Sequence, residues 1–396
     1  MHVVTAHLPP KPAGRVLVVG AGKASARMAE AVETAWGPCE GLVITRYGHA
    51  RPCHGIEVVE AAHPVPDVLG VTTTGRMLDM LGSLEKGDFV LALISGGASS
   101  LLCAPADGLT LADKQAMNAA LLASGVPIDG MNTVRKHLSR VKGGQLAAAA
   151  APASMLVLMI SDVPGDNPAT IGSGPTVAEA STPIDARAIL DRWDVATPPS
   201  VTAALARNSS VVRPGDPRLA TIENRIIAAP ARSLAAAADL ARARGCEVRI
   251  LGDALEGEAR EVAAEQAALA LTLQAERSAG APPLLLLSGG ELTVTRQGNG
   301  IGGPNAEFCL ALALALGGAP GIHALAGDTD GVDGAAEVAG ALIGPQTLAL
   351  AHRSGLDPDK ALASNDAHAF FGCIGAQVVT GPTLTNVNDF RVILIE

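Results

Sequence analysis

Aromatic side chains are scarce in this 396-residue chain, with two Trp, one Tyr and five Phe, so its core has to be assembled from Ala, Leu, Val and Ile. Runs of consecutive Lys or Arg are missing too, and the net charge is −10, which argues against nucleic acid as the main partner. An acidic protein that binds anions must therefore gather its positive charge locally. The six cysteines, Cys39, Cys53, Cys103, Cys246, Cys309 and Cys373, show no CxxC and no Cys/His ligand spacing; they read as reduced structural thiols of a cytosolic protein. The amino terminus lacks a basic segment followed by an apolar one and a small-residue cleavage site, so no signal peptide is expected. The longest apolar run, 146–160, is interrupted by Pro152 and Ser154 and is too short to span a bilayer. These absences lead to the expectation of a soluble, cytoplasmic protein with no membrane partner.

What is present is length and alternation. A chain of this size suggests two or three domains, and 48% apolar against 17% charged residues marks it as globular. Residues 15–20 form a β-branched run ending in glycine, followed by an alanine-rich helical segment at 23–36. Further strands are expected at 41–45, 56–59, 88–94 and 155–160, and helices at 72–84, 111–123 and 134–151. This alternation predicts a parallel, Rossmann-like sheet with helices on both faces. Residues 198–218 break the rhythm with Pro, Ser, Arg and Gly, and give expected domains at 1–215 and 216–396. The pattern then restarts with strands at 224–228, 247–251, 284–287, 323–326, 378–380 and 390–395, the last able to join either sheet. Helices are expected at 231–244, 258–278, 307–316 and 346–354. The fold class is thus α/β, with two α/β domains. Ser288-Gly289-Gly290 echoes Ser95-Gly96-Gly97, which suggests a similar turn in each.

Glycine-rich strand ends carry the candidate chemistry. Residues 325–334 hold Asp328, Asp330 and Asp333 between glycines, a spacing that can turn carboxylate oxygens toward one hard cation such as Mg²⁺, or else form a solvated acidic turn. Residues 20–25 sit where a dinucleotide or phosphate loop belongs. However, Ser25 replaces the third glycine of the dinucleotide pattern, and Leu17 and Ala24 break the Walker A pattern. Lys23 at a helix start opposes the helix dipole, which points to an anionic ligand in place of a structural role. Ser95, Gly96, Gly97 and Ser99 offer hydroxyls and backbone donors to an anion, or form a plain turn. Ser288, Gly289 and Gly290 offer the same, with Glu291 suited to a nucleotide hydroxyl or a metal-bound water. Residues 132–144 carry the densest positive charge; read as a helix, they put Arg135, Ser139 and Lys142 on one face, suited to a carboxylate or phosphate or simply to solvent. Asp162 and Asp166 follow a buried strand, where α/β enzymes keep acids and bases and where turns also recruit aspartate.

The motifs VGAGKAS, HPVPD (63–67), LISGGASSLL, NTVRKHLSRVKGGQLA, SDVPGD, IGSGPT, SGGELTVT, GGPNAEF (302–308), AGDTDGVDG, ND (365–366) and GPTLTNVND (381–389) run in order over nearly the whole chain. Through them the sequence resembles the glycerate 2-kinases with a carboxyl-terminal MOFRL domain, some of whose members have been labelled hydroxypyruvate reductases. The resemblance implies ATP- and Mg²⁺-dependent phosphorylation of D-glycerate on its 2-hydroxyl, in a cleft between two α/β domains, with the MOFRL region at about 284–390. On this reading Lys23, Ser95, Gly96, Gly97 and Ser99 meet glycerate or the transferring phosphoryl group, Arg135 and Lys142 add positive charge, and Asp162 or Asp166 accepts the proton. Asp328, Asp330 and Asp333 hold the metal, and Ser288, Gly289, Gly290, Glu291, Asn305, Asn386 and Asp389 contact the nucleotide. Pro304 stands where many relatives carry arginine, and Leu384 where glycine is usual. A homodimer is compatible with the sequence but not required by it.

Two other readings compete. A nicotinamide-dependent hydroxypyruvate reductase has no use for the aspartate cluster and would have to work with the broken fingerprint at Ser25. A non-catalytic sugar-acid or nucleotide sensor would bind ligand without releasing ADP.

Overall fold

The computed structural model describes residues 2–396, in a first unit ending at Ala228 and a second comprising Ala229–Glu396. The first unit is built on β1 (Val16–Ala21), β2 (Glu40–Arg46), β3 (Ile56–Ala61), β4 (Phe89–Ile94), β5 (Ser154–Ile160) and β6 (Ile222–Ala228). All neighbours are parallel, in the order β3-β2-β1-β4-β5-β6. This is the doubly wound order, whose direction of winding reverses between β1 and β4. β1, β4 and β5 are buried almost throughout, as their unbroken aliphatic runs require. Their carboxyl ends come very close: a Cβ on Gly22 would fall 2.1 Å from Ser95 Oγ, so no other residue fits there.

Residues 222–228 belong to this sheet, paired with β5 from Met155–Ile222 onward. The unit boundary therefore lies after Ala228, not near 215, and the proline-rich 198–218 segment is a connection containing a short helix, Pro199–Leu205. The helix expected over 134–151 is also interrupted. The Ile128–His137 helix stops at Leu138, and helix resumes only at Gln145–Ala149. Gly143 and Gly144 take φ of 58° and 79° in between, and the Ser139 hydroxyl accepts the Val141 and Lys142 N–H groups. Arg135, Ser139 and Lys142 consequently share no helical face. The Leu111–Ala123, Ile128–His137, Pro183–Arg192 and Pro199–Leu205 helices pack around their own apolar cluster, including Met117, Leu121, Val134, Leu138, Leu190 and Leu205. The first of them is started by a Thr110/Asp113 capping box.

The second unit has a mixed sheet of β7 (Glu247–Gly252), β8 (Leu284–Gly290), β9 (Ile322–Asp328), β10 (Gly340–Ile343), β11 (Gln377–Val378) and β12 (Asp389–Ile395), ordered β11-β10-β9-β12-β8-β7. β7 and β8 are parallel; the other pairs are antiparallel. β12 inserts between β8 and β9, which settles the sheet to which 390–395 belongs. β10, four residues long, carries too short a pattern to be expected from sequence. Ser288, Gly289 and Gly290 lie inside β8, opposite Arg391, Phe390 and Asp389, so the echo of Ser95-Gly96-Gly97 is not an echo of turns. The Ala259–Glu276 and Pro304–Leu316 helices contribute Ala263, Ala267, Phe308 and Leu312 to the main core of this unit. Among the described residues no helix is long and apolar enough to cross a membrane.

Two local features lend themselves to measurement. Buried Glu33 accepts backbone N–H groups from Cys39 (3.4 Å), His54 (2.5 Å), Gly55 (2.7 Å) and Ile56 (2.9 Å). Burial pushes its carboxyl up, but these donors together outweigh it and hold the group below the usual carboxylate range. Glu33→Gln sets an amide NH₂ against some of them and should cost roughly 1–3 kcal/mol in urea unfolding at pH 7. A depressed carboxyl stabilises fully above its unfolded value and less as pH falls through the folded one, so the gap between wild type and E33Q should narrow below about pH 4. A gap that stays constant into acid would contradict this account. Leu384 adopts φ of 61°, a left-handed conformation that disfavours any side chain. Leu384→Gly should therefore leave stability unchanged or raise it by up to about 1 kcal/mol, whereas a loss would show that the leucine side chain is needed.

Candidate active site

At the β1–β4 switch point the turn after β1 is welded to the turn after β4. Lys23 N–H donates to the Gly96 carbonyl (2.8 Å) and Ala24 N–H to Ser95 Oγ (3.0 Å), while Gly22 N–H reaches the Ile44 carbonyl and Ser25 N–H the Gly22 carbonyl, each at 3.1 Å. The donors that would cradle a pyrophosphate are thus used within the protein. Ser95, completely buried, and Gly96, through its carbonyl, are struts of this joint. Gly97 differs: a Cβ there would lie 2.9 Å from the His63 ring and 3.4 Å from Lys23 Cγ. It brings both side chains against the turn.

Gly97 and His63 also border a cavity of about 250 Å³, whose lining includes Ser99, Lys114, Asn118, Arg135 and Lys142 but no Asp or Glu. Lys142 Nζ donates to the Ser99 carbonyl (2.6 Å), Ser99 Oγ (3.3 Å) and the Gly172 carbonyl (3.5 Å). Arg135 Nε and Nη2 reach Asn118 Oδ1 at 3.0 and 2.5 Å, and Lys114 Nζ reaches the Leu138 carbonyl at 3.3 Å. Every acceptor is neutral. Burial, reinforced by Lys114, Arg135 and Lys136, holds the Lys142 ammonium well below its usual range; burial also lowers Lys114 and Arg135. Ser99 Oγ lies 2.7 Å from Ser173 Oγ, which donates to Asn132 Oδ1 at 3.2 Å. The other cations of the basic segment go elsewhere: Lys136 pairs with Glu179 at 2.5 Å, and Arg140 is half-exposed beside Asp107.

The structure therefore brings Ser99, Arg135 and Lys142 together, with Lys23 beside them. Lys114, Asn118, Asn132 and Ser173 were not singled out from sequence. Lys114 is a single lysine on an amphipathic helix and carries no signature; Ser173 lies in the IGSGPT motif, the only signal available. Asp162 follows β5 and Ser161. Asp166 takes φ of 52°, and its Oδ1 is buried with no protein donor.

In the second unit the aspartates separate by role. Asp328 Oδ1 accepts Asp330 N–H, and Asp330 Oδ1 accepts Val332 N–H, each at 2.8 Å. Asp333 instead caps the Pro304–Leu316 helix. It accepts Asn305 N–H (3.0 Å) and Ala306 N–H (2.8 Å) and lies 3.0 Å from His368 Nε2. A Cβ on Gly303 would sit 2.4 Å from its carboxyl carbon, and Pro304 takes the first helical position, where a missing N–H costs nothing. Asp333 is thus scaffolding, and among the described residues no three His, Cys, Asp or Glu side chains are arranged to hold a metal ion. Asp389 pairs with Arg391 at 3.0 Å and accepts Asn305 Nδ2 at 2.7 Å. Burial pushes this carboxyl up, and the Arg391 guanidinium beside it and the Asn305 amide oppose that rise. Arg391 also donates to the Gly289 carbonyl at 2.6 Å. Asn305, Asp389, Ser288 and Gly289 are thus buried and tied into this core by hydrogen bonds. A Cβ on Gly290 would meet Leu255 N at 2.2 Å, so Gly290 too serves packing. Glu291 is exposed just past β8, and Asn386 is buried in the loop before β12.

Residues 2–206 match the domain of unknown function DUF4147, and residues 284–389 match the MOFRL family. A relative in Agrobacterium vitis that bears a hydroxypyruvate reductase name is 50% identical over 99% of this chain and 90% of its own length. The D-glycerate 2-kinase of Thermotoga maritima is 38% identical over 96% of this chain and 91% of its own. The crystal structure of the Thermotoga maritima glycerate kinase superposes with a TM-score of 0.89 at 37% identity, covering 100% of this chain and 94% of that one. With both family matches in order and full-length kinase relatives above 30% identity, the chain belongs to the glycerate 2-kinase family with a carboxyl-terminal MOFRL region.

Proposed function

We propose that this protein transfers the γ-phosphoryl group of ATP to the 2-hydroxyl of D-glycerate, giving 2-phosphoglycerate and ADP. The observation that carries the reading is the cavity beside the β1–β4 switch point, where three cations meet only neutral acceptors and Lys23 stands next to Gly97. Glycerate occupies this cavity, with its carboxylate against Arg135 and Lys142 and its 2-hydroxyl between Lys114 and Lys23. In the transfer the hydroxyl oxygen bonds to the γ-phosphorus, the bond from that phosphorus to the bridging oxygen breaks, and ADP leaves with the electron pair. The proton passes to a carboxylate, and Asp166, with its buried undonated oxygen, suits this better than Asp162. Such chemistry depends on positioning and on neutralising charge over the phosphate oxygens, for which Lys23, next to Gly97, serves. Glu291 and Asn386 are the remaining candidates for nucleotide contact. Mg²⁺ is held mostly by phosphates and water with one or two protein carboxylates, and Asp328 and Asp330 fit that need where Asp333 does not; bound there, the ion would neutralise phosphate charge. All six cysteines are free thiols, as a reducing cytoplasm would keep them.

Two relatives with a hydroxypyruvate reductase name keep the reductase reading in play. The occupied backbone donors around Lys23 count against a dinucleotide there. Incubation with hydroxypyruvate and NADH or NADPH should leave nicotinamide absorbance constant, whereas D-glycerate and ATP should yield ADP, with phosphorus NMR placing the phosphate on the 2-position. Lys23→Met should lower kcat by about 100-fold or more with an unchanged unfolding midpoint; normal turnover in that variant would remove Lys23 from the site.

A further inference from the structure

The cavity holds more positive charge and more space than glycerate uses. Lys114, Arg135 and Lys142 all line it, yet glycerate brings one carboxylate. Buried cations without countercharge are costly, and here Lys114 and Lys142 are bonded to carbonyl and hydroxyl oxygens, and Arg135 to the side-chain amide oxygens of Asn118 and, at 3.5 Å, Asn132. A bound anion would supply the countercharge that the cavity's own lining lacks. Volume points the same way. A 150 Å³ cavity accommodates benzene, or roughly 25 Å³ per heavy atom, so the three-carbon acid fills roughly two thirds of this cavity and the acid with a phosphoryl group fills it.

We propose that the Lys114–Arg135–Lys142 cavity is built for a phosphorylated hydroxy acid, with Lys114 as the residue that makes the protein hold the phosphorylated acid more tightly than the acid from which it is made. This rests on the kinase reading, since it assigns the same cavity to substrate and product. One consequence is that the product competes with glycerate for the site and slows turnover as it accumulates. Lys114 lies a turn from Met117 and Asn118 on the Leu111–Ala123 helix, so the helix that adds this charge also buttresses Arg135 through Asn118.

The test is calorimetric titration of the full chain, without nucleotide, with D-glycerate, 2-phosphoglycerate and inorganic phosphate. The phosphorylated acid should bind about tenfold or more tightly than glycerate, and inorganic phosphate should weaken its apparent affinity. Lys114→Met should collapse that preference toward unity and Lys114→Arg should restore most of it, a pattern that a purely structural lysine would not produce. Equal affinities of the wild type for the two acids would overturn the proposal without any variant, as would an undiminished preference in a folded K114M. If K114M does not fold, Lys114→Gln takes its place, and the wild-type comparison decides by itself. Failure of the kinase reading is separately visible: tight binding of the phosphorylated acid without ADP release from glycerate and ATP would sink that reading alone, and ADP release without the preference would sink only this one.

Discussion

The hydrogen bonds that join the turn after β1 to the turn after β4 are the constraint on which the first unit depends. With Lys23 N–H on the Gly96 carbonyl, Ala24 N–H on Ser95 Oγ and Gly22 pressed against Ser95, the two strand ends cannot part. A doubly wound sheet opens a crevice at such a point because successive connections leave toward opposite faces. Here the crevice is filled by backbone, and what it presents outward is the pair of side chains next to Gly97, Lys23 and His63. The same contacts explain why the glycine pattern looks like a nucleotide loop and is not one.

Charge is handled by separation. The protein carries a net −10, yet the cavity beside this joint contains three cations and no carboxylate. Two lysines and an arginine lining one cavity repel one another, and burial together with this repulsion lowers the Lys142 ammonium. Hydrogen bonds to neutral oxygens hold them without a countercharge, and Met117 and Leu138, which also line the cavity, belong to the apolar helical cluster. Where a cation of the same segment is meant only for structure, as with Lys136, a carboxylate stands against it. That contrast, more than the number of basic residues, separates the site from the scaffold.

The second unit uses buried polar groups for cohesion. Arg391, Asp389, Asn305, Asp333 and His368 run as a connected set from β12 to the cap of the Pro304–Leu316 helix. Glu307, Arg260 and Asn365 form a second set, with Arg260 Nη2 at 2.6 Å and Asn365 Nδ2 at 3.0 Å from the Glu307 carboxylate. Removing one member would leave a buried partner such as Glu307, Asp333 or Asp389 short of a hydrogen bond, which is costly. Carboxylates that look alike in the sequence therefore divide by partner: Asp328 and Asp330 accept N–H groups of their own loop, whereas Asp333 caps a helix and Asp389 pairs with Arg391.

Strand and helix composition alone determined the α/β class, the parallel first sheet and the positions of most strands, because fully buried strands need unbroken aliphatic runs whatever their neighbours. It also marked Lys23, Arg135 and Lys142, whose charge is conspicuous in an acidic chain. Tertiary structure decided what pairing decides: that 222–228 closes the first sheet, that 390–395 lies between β8 and β9, and that the 134–151 segment breaks from Leu138 to Gly144. It alone placed Lys114 beside Arg135, turned Asp333 and Asp389 inward, and made Ser95 a strut. Hydrophobic periodicity is a property of neighbours along the chain, whereas the partner of a charge or hydroxyl is set by residues far from it in sequence.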